Sequence, residues 1–298
     1  MPSEAHQQIV EFLRATASGA SGAPSFEAAR AALDQMGQSF SVPEGVDVSA
    51  VEIAGVPCES IAPVVGEHGT LVYLHGGAYT VGSLNSHRSL SSRIALATGC
   101  RVIAVDYRLA PEYPFPAGLD DCATVVAELL DQGLDPSELF VGGDSAGGGM
   151  AMALMLRRLD DGLVLPAGAV LLSPWLDLHL QSASITERAA ADPLLNVASL
   201  ARSVEAFVDD PSHPHASPIL ADPTGLPALL ILVGTAEILL DDSLVFAEAA
   251  TAAGVDVEID VEDGLIHVWP FLDGIPEAAA AMERIGSWVK ARLTPATN

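Results

Sequence analysis

The 298-residue chain carries 39 acidic against 13 basic residues, a formal net charge of −26, and is 50% hydrophobic. That charge argues against nucleic acid and anionic membrane surfaces as partners, and the apolar runs are too short or too broken by Pro and Gly to span a bilayer. The opening Met1-Pro2-Ser3-Glu4-Ala5-His6 has no basic or apolar leader, and Cys58, Cys100 and Cys122 form no Cys-x-x-Cys pair, so a soluble cytoplasmic protein with reduced, buried thiols is expected.

The length and apolar content allow one large core. Residues 1–45 read as an N-terminal helical cap segment. Ile9, Phe12 and Leu13 make one apolar face; a Gly/Ala/Ser stretch from Ala17 to Pro24 follows; Phe26, Ala29, Leu33 and Met36 make a second. Val46–Ile53 and Val56–Ile61 predict an antiparallel pair at a sheet edge. Thr70–Leu74 and Arg101–Val105 are continuous apolar runs of the kind buried in parallel sheets. Ser86–Ala97 between them is helical and closed by Gly99, and Leu119–Leu130 is helical after a proline-stiffened loop.

Leu139–Val141 then runs into Gly143-Asp144-Ser145-Ala146-Gly147 and a helical pattern through Met150, Leu154 and Leu156. This is strand, sharp turn and helix with a serine at the apex. Glycines two residues to either side let strand and helix approach. Ala169–Leu172 is a further strand. Residues 178–225 lose the alternation, hold short helices at Ile185–Ala190 and Val197–Val208, and read as a second cap segment. Ala228–Val233, Val255–Val261 and a helix from Pro276 to Leu293 complete the core, which spans 46–177 and 226–298. Strands alternating with helices imply an α/β fold with a mostly parallel sheet covered on both faces.

Serine-based acyl transfer needs a nucleophile, a base, an acid that orients the base, and donors for the oxyanion. Ser145 is the candidate nucleophile. His267, in Gly264-Leu265-Ile266-His267-Val268-Trp269-Pro270 after the last strand, is the candidate base. The acid must come from the loop after Ala228–Val233. Glu237 lies soonest after the strand end and is preferred. Asp241 is the alternative, since Asp241 and Asp242 read as the dipole-complementing start of the next helix. The oxyanion donors are the amide of Ala146 with those of Gly77 and Ala78, or of Gly76 and Gly77. His213 and His215 read as a surface loop rather than a metal site, because no cysteine or carboxylate cluster accompanies them. His6, His87 and His179 carry no signal.

With His75-Gly76-Gly77-Ala78, Asp106-Tyr107-Arg108-Leu109-Ala110-Pro111-Glu112, Gly143-Asp144-Ser145-Ala146-Gly147 and His267-Val268-Trp269-Pro270 in place, the chain from Thr70 onward resembles the hormone-sensitive-lipase-like α/β-hydrolases, the bacterial family IV carboxylesterases. The resemblance implies the α/β-hydrolase fold, an eight-stranded sheet and a helical cap. It implies hydrolysis of small-molecule esters with short to medium acyl chains, no metal or organic cofactor, and a homodimer. It aligns Glu237 with a position that is often Asp in the family, and Ala78 with the third glycine of a His-Gly-Gly-Gly motif. Phe207, Leu195 and Leu200 are expected to shape the acyl pocket. A lactonase or amidase on the same triad is the alternative, followed by a non-catalytic receptor of the same fold, against which the presence of His267 counts.

Overall fold

The computed structural model describes residues 1–17 and 24–293. Most of the Gly/Ala/Ser stretch between the first two helices lies outside the described residues. In chain order the elements are α1 (Glu4–Ala17), α2 (Phe26–Gln38), β1 (Val46–Ile53), β2 (Val56–Pro63), β3 (Thr70–Leu74), α3 (Leu84–Thr98), β4 (Arg101–Val105), α4 (Ala117–Asp131), β5 (Leu139–Asp144), α5 (Ala146–Asp160), β6 (Gly168–Leu172), α6 (Ser184–Glu187), α7 (Val197–Phe207), β7 (Ala228–Gly234), α8 (Leu240–Ala252), β8 (Val257–Glu262) and α9 (Pro276–Arg292). The expected helix over 185–190 is shorter: α6 ends at Glu187, and the chain turns back on itself through Arg188 to reach Asp192.

The strands form one eight-stranded sheet in the order β1-β2-β4-β3-β5-β6-β7-β8. The pairs β1·β2 and β2·β4 are antiparallel and the others parallel. The apolar strands divide their residues between two cores. Val72, Leu74, Val141, Leu171 and Ile231 pack on one face with α4, α5 and α8; Leu71, Tyr73, Phe140, Val170 and Leu230 pack on the other with α3 and α9. Period-two alternation therefore persists inside uniformly apolar runs, because both faces are covered. Each fully buried Leu, Val or Ile contributes about 1.5–3 kcal/mol, enough to hold the strand ends in fixed positions.

The N-terminal helices dock on this body. Ile9, Val10 and Leu13 of α1 pack against Ile266, Leu272 and Ile275. From α2, Arg30 donates to the carbonyls of Thr80 and Ala110 and forks onto Glu112, while Ser83 Oγ donates to Asp34 at 2.6 Å. Cys58, Cys100 and Cys122 are free and buried. No helix among the described residues is long and apolar enough to cross a membrane.

Candidate active site

Ser145 sits between the end of β5 and the start of α5 with φ +52° and ψ −122°, a conformation L-residues rarely adopt. The glycines around it are there for contact. A Cβ on Gly143 would lie 2.4 Å from Gly147, and one on Gly147 would lie 2.0 Å from the Leu74 carbonyl. The turn is clamped to the next strand: Ser145 N donates to Leu172 O at 2.8 Å, and Trp175 N donates to Ser145 O at 2.9 Å.

The loop after β7 carries Glu237, fully buried, and the loop after β8 carries His267, 7% exposed. His267 Nδ1 and Glu237 Oε2 are 2.6 Å apart. The other carboxylate oxygen, Oε1, accepts from Gly234 N and Ser173 Oγ, both at 2.8 Å. Ser173 Oγ in turn accepts from Val268 N at 3.0 Å. One hydroxyl at the end of β6 thus braces both the carboxylate and the histidine loop. Asp241 is elsewhere, accepting from Ser184 N at 2.8 Å. Asp242 accepts from Leu176 N and Asp177 N, and burial pushes its carboxyl up to about 8. Burial pulls the His267 imidazole down, but the charge and hydrogen bond of Glu237 raise it by more, so it lies above the ordinary histidine value.

The loop after β3 completes the site. Gly76 N donates to Asp144 Oδ1 at 3.1 Å. This corrects one expectation: the Gly76 amide is already committed, so it is not a free oxyanion donor. The amides of Gly77, Ala78 and Ala146 have no partner among the described residues. The backbone at Gly77, Ala78 and Tyr79 has φ of +126°, +51° and +62°.

Asp144 also accepts from Tyr73 OH at 2.7 Å and lies 3.3 Å from His87 Nε2. Burial alone would raise its carboxyl; the His87 charge and the bonds from His87 and Tyr73 outweigh burial and hold it below the ordinary value. His75, stacked on Tyr107 with centroids 4.3 Å apart, is pushed down to about 4 by burial and by His87, so it is neutral.

Ser145, His267, Gly76, Gly77 and Ala78 line one cavity of about 340 Å³. Its walls are apolar: Leu13, Leu33 and Met36 from the N-terminal helices, Leu194 and Leu195 before α7, and Leu200 within it. Phe207 departs from expectation. It is buried behind the wall, stacked on Tyr79 with centroids 3.9 Å apart, and so supports the strained loop rather than lining the cavity.

Four residues of the site belong to no sequence motif. Ser173 sits in a buried loop after β6, Asp192 in the loop between α6 and α7, and His6 and His87 in helices. His6 Nε2 accepts from Ile266 N at 3.4 Å, so α1 reaches the residue before His267. The one available clue for Ser173 was its place at the end of a central strand, where site residues of open α/β sheets collect. His215 pairs with Asp160 at 2.9 Å. Among the described residues no group of three or more His, Cys, Asp or Glu is arranged to hold a metal ion.

Residues 71–271 match the family model described as the alpha/beta hydrolase fold. An acetyl-hydrolase of Streptomyces hygroscopicus is 41% identical over 270 residues, 89% of each chain, and an esterase of Acinetobacter venetianus is 37% identical over 88% of each. The crystal structure of an esterase from the bacterial hormone-sensitive lipase family superposes with a TM-score of 0.93 at 37% identity, over 99% of this chain and 100% of the other. An esterase/lipase from an uncultured bacterium gives 0.92 at 35% identity, over 98% and 99%. The matched segment holds Ser145, Glu237, His267 and the Gly76–Ala78 loop, and with these likenesses it establishes that the chain belongs to the α/β-hydrolases, in the bacterial hormone-sensitive-lipase branch, as a carboxylic ester hydrolase.

Proposed function

We propose that the chain is a serine carboxylesterase that cleaves short- to medium-chain acyl esters through an acyl-enzyme, with Ser145 as nucleophile, His267 as general base and acid, and Glu237 as the carboxylate that orients His267. The observation that carries this reading is the 2.6 Å contact between Glu237 Oε2 and His267 Nδ1 beside a cavity that His267 shares with Ser145. Donation of Nδ1–H to the carboxylate selects the tautomer whose Nε2 is free to take a proton.

In the first half-reaction Nε2 takes the Ser145 proton as Oγ bonds to the ester carbonyl carbon. The amides of Gly77, Ala78 and Ala146 receive the oxyanion. Collapse of the tetrahedral intermediate breaks the carbon–oxygen bond to the leaving alcohol, which takes the proton from Nε2. In the second half-reaction water replaces the alcohol, gives its proton to Nε2, and returns the acid and free Ser145. Buried Glu237 stabilises the imidazolium formed in each half.

The substrate class follows from the walls. A mostly apolar cavity of about 340 Å³ lies at the small end of ligand sites, which run from about 300 to 1,000 Å³. Residues 1–45 and 178–225 supply much of that wall, which supports reading them as two cap segments over the core at 46–177 and 226–298. The test is hydrolysis of p-nitrophenyl esters from acetate to decanoate. Wild type is expected to turn over the shorter members best, and Ser145→Ala is expected to abolish turnover on all. A Ser145→Ala protein with wild-type rates, or a wild type inert on the whole series, would sink the proposal.

A further inference from the structure

Asp192 stands between the two parts of the site that select and react. It is 8% exposed and lies between α6 and α7. Its Oδ1 accepts from the amides of Leu194 and Leu195, both at 2.9 Å. Its Oδ2 accepts from the amide of Ile238 at 3.0 Å. The first pair is an Asx-type turn, available to Asp because its short side chain reaches the amides two and three residues on. The third bond crosses to the loop after β7, to the residue that follows Glu237. Leu194 and Leu195 line the cavity; Glu237 holds His267.

We propose that Asp192 is a positioning residue that fastens the Leu194–Leu195 wall of the substrate cavity to the Glu237 loop, so that the surface choosing the acyl group and the carboxylate orienting the base move as one body. This deepens, and rests on, the reading of Ser145, His267 and Glu237 given above. Both carboxylate oxygens are used, and no neutral side chain of that size can accept on both sides. Asn would present an amide donor to one of the two sets of N–H groups, so one set would be left unpaired in a buried position. Asp192 is also one of three carboxylates, with Glu237 and Asp144, whose charges bear on His267 from the loops packed around it.

The test compares wild type, Asp192→Asn and Leu195→Ala on p-nitrophenyl esters from acetate to octanoate, with pH profiles of kcat/KM and thermal unfolding alongside. Asp192→Asn is expected to change the butanoate-to-octanoate ratio of kcat/KM by about tenfold, the effect of moving a pocket wall by about one methylene. The change should fall mainly on KM, and the acid limb of the pH profile should move to lower pH, because a charge favouring the imidazolium is gone. Leu195→Ala should alter the same ratio and leave the acid limb where it was. Asp192→Ser, which keeps the local turn and loses the reach to Ile238 and the charge, serves if the Asn protein does not fold, with the same expected shifts. A uniform fall on every ester with an unmoved acid limb would overturn the proposal, since lost stability alone predicts that pattern. Wild-type rates on the series report on the esterase reading by themselves; only the comparison among variants reports on Asp192.

Discussion

Replacing Glu237 by Gln changes one group and keeps the shape. Oε1 already accepts from Gly234 N and Ser173 Oγ, so the Gln carbonyl takes that place and its amide faces His267 Nδ1. Two donors cannot share that contact, so Nδ1 must lose its hydrogen and Nε2 must carry it. That tautomer cannot receive the Ser145 proton. In serine proteases the equivalent tautomer reversal costs about 10⁴ in kcat, which at about 1.36 kcal/mol per decade is roughly 5.4 kcal/mol. The imidazolium of the transition state also loses a buried counter-charge, so we expect kcat to fall by about 10³–10⁴.

The pH dependence gives a second, independent readout of the same substitution. Burial lowers the His267 pKa, and Glu237 raises it by more, so the wild-type acid limb of kcat/KM should lie above the ordinary 6.5. In the proposed mechanism neutral imidazole is the working form, so activity should fall as pH drops through that value. In Glu237→Gln burial remains without the opposing charge, and the limb moves to lower pH. Initial rates on p-nitrophenyl butanoate from about pH 5 to 9 measure both effects. Asp241→Asn, which touches Ser184 rather than His267, should stay within about threefold of wild type. A loss below about tenfold in Glu237→Gln with an unmoved limb, or a larger loss in Asp241→Asn, would refute the reasoning.

Gly77→Ala places a Cβ 2.2 Å from Val81 O at φ +126°, so the loop must shift. Losing one oxyanion donor is worth about 2.7–4 kcal/mol, and kcat should fall about 10²–10³ with KM little changed; an unchanged kcat would remove Gly77 from the oxyanion site. Asp144→Ala leaves Tyr73 OH, Gly76 N and His87 Nε2 without their acceptor. At about 1–3 kcal/mol for a buried group left unpaired, its denaturant midpoint should fall well below that of Asp144→Asn, which keeps one oxygen; equal midpoints would contradict the network. Asp242, held near 8 in the fold against 3.8 for a free carboxyl, binds an extra proton in the folded state between those values, so it makes stability fall as pH rises across that window. Asp242→Asn should therefore melt above wild type at about pH 9 and lose the advantage near pH 5, and an advantage that grows toward acid would be the wrong sign. With a net charge of −26, the thermal midpoint should rise from low to molar NaCl as the Debye length shrinks from about 30 to 3 Å, and a steady fall would show that attractive ion pairs dominate instead.

The parts of the fold legible in the sequence were those with a local cause. Thr70–Leu74, Arg101–Val105 and Ala228–Val233 announced buried strands by uninterrupted apolar runs, and the glycines about Ser145 announced the turn by the close approach they permit. His267 and Glu237 were legible as the ends of predicted strands, so their proximity needed only the topology. What stayed hidden depends on three-dimensional bookkeeping. Gly76 looked as available as Gly77, and only the position of Asp144 Oδ1 shows that its amide is taken. Phe207 looked like a pocket residue because it is apolar and in a cap-like helix, but the stack on Tyr79 turns it away from the cavity. Ser173, Asp192 and His6 act through long-range hydrogen bonds, to Glu237, Ile238 and Ile266 at separations of 64, 46 and 260 residues, and Ser173 makes a second, to Val268, at 95. No local pattern encodes such pairs.

The distribution of backbone strain shows what these long-range bonds are for. Among the described residues seven non-glycine positions have positive φ, and five of them are Ala78, Tyr79, Ser145, Ser173 and Val268. These follow β3, β5, β6 and β8, and three of them, Ala78, Ser145 and Val268, line the cavity. At about 1–3 kcal/mol each, they sum to roughly 5–15 kcal/mol, comparable with the whole stability of a typical domain. Such a set persists only if neighbouring structure fixes each member. Ser145 N is bound to Leu172 O, Ser173 N to Leu232 O, Val268 N to Ser173 Oγ, and Tyr79 is stacked on Phe207. Ser145 and Ser173 thus lean on the ends of adjacent central strands, Val268 on another strained residue, and Tyr79 on helix α7. Ser173 joins the Glu237 carboxylate to the His267 loop, so removing its hydroxyl releases Val268 N and takes one of the two donors from Glu237 Oε1 together. Ser173→Ala leaves the buried Val268 amide without its acceptor, at a cost of about 1–3 kcal/mol, so both kcat and the melting temperature should fall, and a wild-type kcat in a protein of lowered melting temperature would show that the hydroxyl serves the fold alone.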